Sequence, residues 1–108
     1  MSTGRTLIKL PKTARRGEVI EISAIIGHPM ESGFRPGADG KILPRDIITR
    51  FTCHYNEELV FSAELYSAIS ANPLIAFRTV ATVSGVLRLR WEGDHGFGHD
   101  ESVPLTVT

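Results

Sequence analysis

Apolar and polar side chains alternate at a two-residue period along most of this 108-residue chain, in about seven short runs separated by turn-forming residues. No stretch carries a convincing helical pattern. Together these observations predict an all-β fold, an immunoglobulin-like antiparallel β-sandwich of about seven strands. At this length it forms a single domain, residues 1–108, large enough to bury a core without disulfide or metal staples.

The elements follow in order. A short strand is expected at residues 7–10. The first long strand covers residues 18–26, with Ile20, Ile22, Ala24 and Ile26 on one face. Residues 47–55 form the next, with Phe51, Cys53 and Tyr55 on one face and Arg50, Thr52 and His54 on the other. Asn56-Glu57 reads as a tight turn, because Asn tolerates a positive φ, and leads into a strand at 59–63. Ile75 and Phe77 begin another strand. From Gly85, Leu87, Leu89 and Trp91 point inward against Arg88 and Arg90 outward. The chain closes on Val103, Leu105 and Val107, alternating with Ser102, Pro104 and Thr106. Pro104 has no N–H to donate to a ladder, so this last strand is expected at a sheet edge. The one helical candidate, residues 63–70, is short and carries Ser and β-branched residues.

Twelve basic residues balance twelve acidic ones. A nucleic-acid or anionic-membrane partner would call for a basic excess, so neither is expected. The single Cys53 has no partner for an internal disulfide, and no Cys pair forms a zinc or redox motif. The first eighteen residues, MSTGRTLIKLPKTARRGE, lack the apolar core of a secretory signal.

Residues 28–48 break the strand pattern with three Pro and three Gly between two strands. Connections in compact domains are commonly about 4–6 residues, so a segment this long signals function or disorder. Met30 and Phe34 are expected to lie exposed there as docking side chains, Met being adaptable at binding surfaces. Pro29, Pro36 and Pro44 lower the entropy lost on ordering, whereas Gly33, Gly37 and Gly40 permit disorder.

No catalytic constellation emerges. Cys53 shares a strand face with Phe51 and Tyr55, which reads as core packing rather than a nucleophile; a carrier role for its sulfur is a weaker alternative. His28, His54, His95 and His99 with Cys53 make a possible iron-binding set, as in the superoxide reductases, whose fold is also a β-sandwich. That would make the chain an iron-dependent redox enzyme. Adjacent strand residues point to opposite faces, however, so Cys53 and His54 do not share a metal easily. The Gly93–Asp100 stretch, GDHGFGHD, reads as an ordinary hairpin loop, and no Gly-x-Ser-x-Gly elbow is present. No cofactor is expected.

His28-Pro29-Met30-Glu31-Ser32-Gly33, Asp39-x-x-Ile42-x-Pro44 and Ile47-Ile48-x-x-Phe51-x-Cys53, continued by Ser70-Ala71-Asn72-Pro73 and the Gly85 to Trp91 strand, resemble the Z subunit of the bacterial sulfur-oxidation (Sox) carrier complex. Two positions depart from that pattern: Glu57 follows Asn56 where Gly is usual, and Leu74 follows Pro73 where an aromatic is common. The resemblance implies a non-catalytic subunit that pairs with a Y subunit. That partner carries sulfur on a Cys within a C-terminal Gly-Gly-Cys-Gly-Gly arm and presents it to other Sox enzymes. This chain ends Pro104-Leu105-Thr106-Val107-Thr108, without such an arm. The resemblance also implies a periplasmic setting, reached by co-export with a signal-bearing partner. The expected partner contacts are His28, Pro29, Met30, Glu31, Ser32, Gly33 and Phe34, with Pro44 and Arg45 on the return and Asn72 and Pro73 from the later motif.

Overall fold

The computed structural model describes residues 5–108. Eight strands follow one another: β1 (Thr6–Lys9), β2 (Thr13–Ala14), β3 (Val19–Ile26), β4 (Ile48–Tyr55), β5 (Glu58–Glu64), β6 (Leu74–Val80), β7 (Gly85–Gly93) and β8 (Gly98–Val107). They form a three-stranded sheet, β1-β3-β6, and a five-stranded sheet, β2-β8-β7-β4-β5, which makes the expected sandwich. All pairings are antiparallel except β2 with β8. Seven of the strands lie where the alternation puts them. β2 is an eighth, two residues long and invisible to a periodicity argument.

The helical candidate at 63–70 is not a helix: β5 runs to Glu64 and turns. The one helical turn among the described residues is Asp94–Gly96, between β7 and β8. β8 begins at Gly98, five residues before Val103, because its first half alternates weakly in hydrophobicity. β2 covers only Thr106 and Val107, so Pro104 does lie on the uncovered stretch of β8.

The core lies between the sheets, about 10 Å apart in such packings. Ile20, Ile22, Ala24 and Ile26 from β3 meet Phe51 and Cys53 from β4, and Leu87, Leu89 and Trp91 from β7. Phe51 packs on Trp91 and Phe77 at ring-centroid distances of 5.1 and 5.9 Å. Phe61 stacks on Phe77 at 4.5 Å, closing the side of the sandwich where β5 and β6 end their sheets. Burial lifts the Cys53 thiol to about 11, leaving it protonated at neutral pH.

The end opposite the long segment is pinned by Tyr55 and Asn56. The Tyr55 hydroxyl accepts the N–H groups of Thr82 and Val83 at 3.1 and 3.2 Å and donates to the Val83 carbonyl. Asn56 takes the expected left-handed conformation, φ +54°, and its Oδ1 accepts the Val86 N–H at 3.0 Å. Only glycine fits opposite it, since a Cβ on Gly85 would sit 2.0 Å from that oxygen.

Candidate functional site: a clamped arm

Residues 27–47 are ordered rather than floppy. They fold into a two-stranded arm. Glu31 and Asp46 exchange both backbone hydrogen bonds, at 2.8 and 2.9 Å, and Pro36 bridges Ile42 further out. The Leu43 N–H donates to the Arg35 carbonyl at 2.9 Å, and the tip closes through Gly37 N–H to Lys41 carbonyl at 2.7 Å. Gly33 is required where the two sides approach: its φ is +88°, and a Cβ there would lie 2.9 Å from that of Arg45. The molecule measures 58 × 21 × 20 Å. The ten-residue β8 spans about 34 Å at strand rise, so the arm extends along the long axis instead of folding back over a sheet.

Two clamps hold its base. On the outgoing side the His28 N–H donates to Asn72 Oδ1 at 3.0 Å, and the Asn72 N–H returns a bond to the His28 carbonyl at 2.8 Å. Asn72 reaches this position in a left-handed conformation, φ +54°. On the returning side Arg45 grips Asp94 with Nε and Nη2 at 2.9 and 2.8 Å. Asp94 also exchanges bonds with the Ile47 backbone, accepting its N–H on Oδ2 at 3.1 Å and donating its own N–H to the Ile47 carbonyl at 2.9 Å. His95 Nε2 lies 2.8 Å from the Arg45 carbonyl. The Arg45 guanidinium holds the Asp94 carboxyl below the usual carboxylate range. Along the stem, Arg35 does the same to Glu31 through a 2.6 Å ion pair.

Three residues expected to face a partner are buried instead: His28, Met30 and Pro73. Met30 is only 6% exposed. Its left-handed backbone, φ +50°, turns the side chain back beneath β4, where Sδ accepts the Ile48 N–H at 3.2 Å. An apolar side chain at the base of the arm gains more from the core it can reach than from water. Its own N–H donates to His28 Nδ1 at 3.0 Å, which places the imidazole proton on Nε2, 3.7 Å from Asp46 Oδ1. Phe97 packs edge-on against the ring at 5.0 Å. Burial pushes the His28 imidazole below its ordinary value, against the opposing pull of Asp46 and Asp94.

The rest divide by role. Gly33, Arg45 and Asn72 build the arm; Glu31 braces it; Ser32 Oγ accepts the Phe34 N–H at 3.2 Å. Pro29 and Pro44 are exposed. Phe34 does lie open, 79% exposed, and Ile42 joins it at 57%. Sequence reasoning missed Asp94 and His95 as arm clamps, because an acidic residue in a glycine-rich turn looks like any hairpin loop. The possible iron set is dispersed: Cys53 lies in the core, His28 at the arm base, His95 in the turn, and His99 hydrogen-bonds Glu101 at 2.7 Å. Among the described residues no three His, Cys, Asp or Glu side chains stand close enough to hold a metal ion.

These features define a small immunoglobulin-like sandwich with a projecting arm, and solved structures share the fold. A superoxide reductase (neelaredoxin) from Ignicoccus hospitalis superposes with a TM-score of 0.73 at 13% identity, covering 98% of this chain and 82% of that one. The sulfur carrier protein SoxY from Chlorobium limicola f thiosulfatophilum gives 0.65 at 16%, covering 95% and 78%. At such identities the likeness is one of fold. In sequence, the family described as sulphur oxidation protein SoxZ matches residues 8–104, and the chain belongs to that family. No curated protein sequence matches it.

Proposed function

We propose that this chain is the non-catalytic half of a heterodimeric sulfur carrier of the Sox YZ type, acting in thiosulfate or reduced-sulfur oxidation. It scaffolds a Y subunit whose C-terminal cysteine arm holds the sulfur intermediates. The observation that carries this reading is the SoxZ family match across nearly the whole chain. The state of Cys53 supports it: a buried, protonated thiol is a poor nucleophile and a poor carrier, so the cargo belongs on the partner's cysteine. The reading includes work in the periplasm after co-export with a signal-bearing partner. The clamped arm, with Phe34 and Ile42 open at a rigid extension, offers the surface for transient contact with other Sox enzymes.

The test is co-production with a Y subunit followed by size-exclusion chromatography with light scattering. A stable 1:1 complex is expected. A monodisperse monomer that ignores the Y subunit sinks the reading. Mass spectrometry after thiosulfate or sulfide treatment is expected to leave Cys53 unmodified.

A further inference from the structure

The outer faces of the two sheets are built differently, and the three-stranded one is unfinished as a surface. Its strands carry adjacent apolar pairs, Leu7-Ile8, Ile25-Ile26 and Leu74-Ile75. One member of each pair packs on the core, so the other is turned outward. Adjacent apolar residues are the mark of a strand meant to be dry on both faces. Register lines the outward members into one row, Leu7 opposite Ile25 and Ile25 opposite Leu74. Leu7 and Leu74 are 58% and 62% exposed. At the far end of the same face Val19 lies opposite Val80, both exposed.

Between these rows stand Lys9, Glu21 and Arg78. Glu21 and Arg78 are opposite in register, yet among the described residues none of the three makes an ion pair. On the outer face of the five-stranded sheet most charges pair within the chain, Arg90 with both Glu92 and Asp100 at 3.0 and 2.8 Å and Arg50 with Glu64 at 3.8 Å, while Arg88 stands without an ion pair among the described residues. The three-stranded face also ends on an open strand. β6, Leu74–Val80, is a sheet edge of seven residues without Pro or Gly and with Arg78 as its one charge, so it lacks most devices that guard an edge.

We propose that the Y subunit packs on the outer face of β1-β3-β6 and over the free edge of β6, leaving the arm to other contacts. The proposal rests on the pairing reading above and says where the pair forms. Size argues for a folded domain as the occupant. Strands of four, eight and seven residues, about 4.8 Å apart, give a footprint of only about 300 Å². A permanent partner needs about 800 Å² per side, so it must run off the face and around the β6 edge, which a short peptide does not do. Charge argues against a second copy. Two cations and one carboxylate leave each face a positive excess, and two such faces brought together repel. The matching surface on the Y subunit therefore carries an apolar row and a carboxylate set against Lys9 or Arg78.

Leu74→Arg and Leu7→Glu, each at an exposed position, are the variants to titrate against the Y subunit. Each is expected to weaken the complex at least a hundredfold, while Arg88→Glu, exposed on the five-stranded face, stays within about twofold. Hydrogen exchange on the unmodified pair supplies a reading that needs no variant: amides of β1 and β6 are expected to slow on complex formation. If the unmodified chain binds the Y subunit but Leu74→Arg binds equally well and protection falls on the arm or the five-stranded sheet, the location is overturned and the pairing stands. If Leu74→Arg only breaks up a self-dimer and leaves Y binding untouched, the face belongs to a second copy and the proposal fails. No complex with the unmodified chain overturns the pairing and the location together.

Discussion

The base and the tip of the arm belong to one segment and obey opposite rules. At the base, backbone groups of Gly27, His28 and Ile47 find partners on Arg5, Asn72 and Asp94, far away in sequence, and Met30 and His28 are buried. Toward the tip, turn hydrogen bonds suffice, and Phe34 and Ile42 are left to water. A segment rich in Gly and Pro is therefore not a mobile one here. Its order is imposed at the root by Asn72 and Asp94, and its apolar surface is displayed further out. Substitutions at the two places should separate stability from binding.

The largest effect is expected from Met30→Asp. It puts a carboxylate into the buried space beneath β4 and removes the contacts of a buried side chain; a loss of about 3–5 kcal/mol follows. Urea unfolding measures it, and Met30→Leu, which conserves volume, should cost less than about 1.5 kcal/mol. Met30→Asp would also weaken any complex, but through the fold. Next comes Asp94→Ala, which deletes the acceptor for both Arg45 and the Ile47 N–H. With Arg45 half-exposed, about 1–2 kcal/mol is expected from the same unfolding measurement. The arm base should then exchange its amides faster than the sheets do.

A smaller and pH-dependent effect belongs to His28. Its folded-state proton affinity lies below the ordinary value, so the folded chain refuses a proton that the unfolded chain accepts. Stability from this source is complete above about pH 6.5 and falls as the pH drops toward the folded value. Protonating Nδ1 would also set its proton against the Met30 N–H. Unfolding free energies between pH 7.5 and 5 should decline more steeply for the unmodified protein than for His28→Gln. Equal slopes would show that the imidazole is not held neutral.

The split between base and tip also marks how far the sequence could be read. Alternation located β3, β4 and β7 to within two residues, because each has one face in the core and the register of a half-buried strand is unambiguous. The left-handed turn at Asn56 was legible for the same local reason. The burial of Met30 and His28 was not, since it is decided by Asn72 and Asp94, 44 and 47 residues from their partners His28 and Ile47. The exposure of Phe34 was legible because nothing distant reaches it. The outer face of β1-β3-β6 was legible but overlooked. Its signal is the doubled apolar residues at 7–8, 25–26 and 74–75, which an alternation pattern treats as noise.

Phe34→Ser is the substitution that sets the comparison most sharply. The ring touches water over most of its surface, so its removal is expected to change stability by no more than about 0.5 kcal/mol and to leave the arm hydrogen bonds intact. If the tip serves as a contact for other Sox enzymes, the same change should slow thiosulfate-dependent turnover of the reconstituted system several-fold while the 1:1 complex with the Y subunit persists. Turnover at the level of the unmodified protein would remove the tip from function. A drop in stability comparable to that of Asp94→Ala would show instead that tip and base are one cooperative unit, and that the arm is held from both ends.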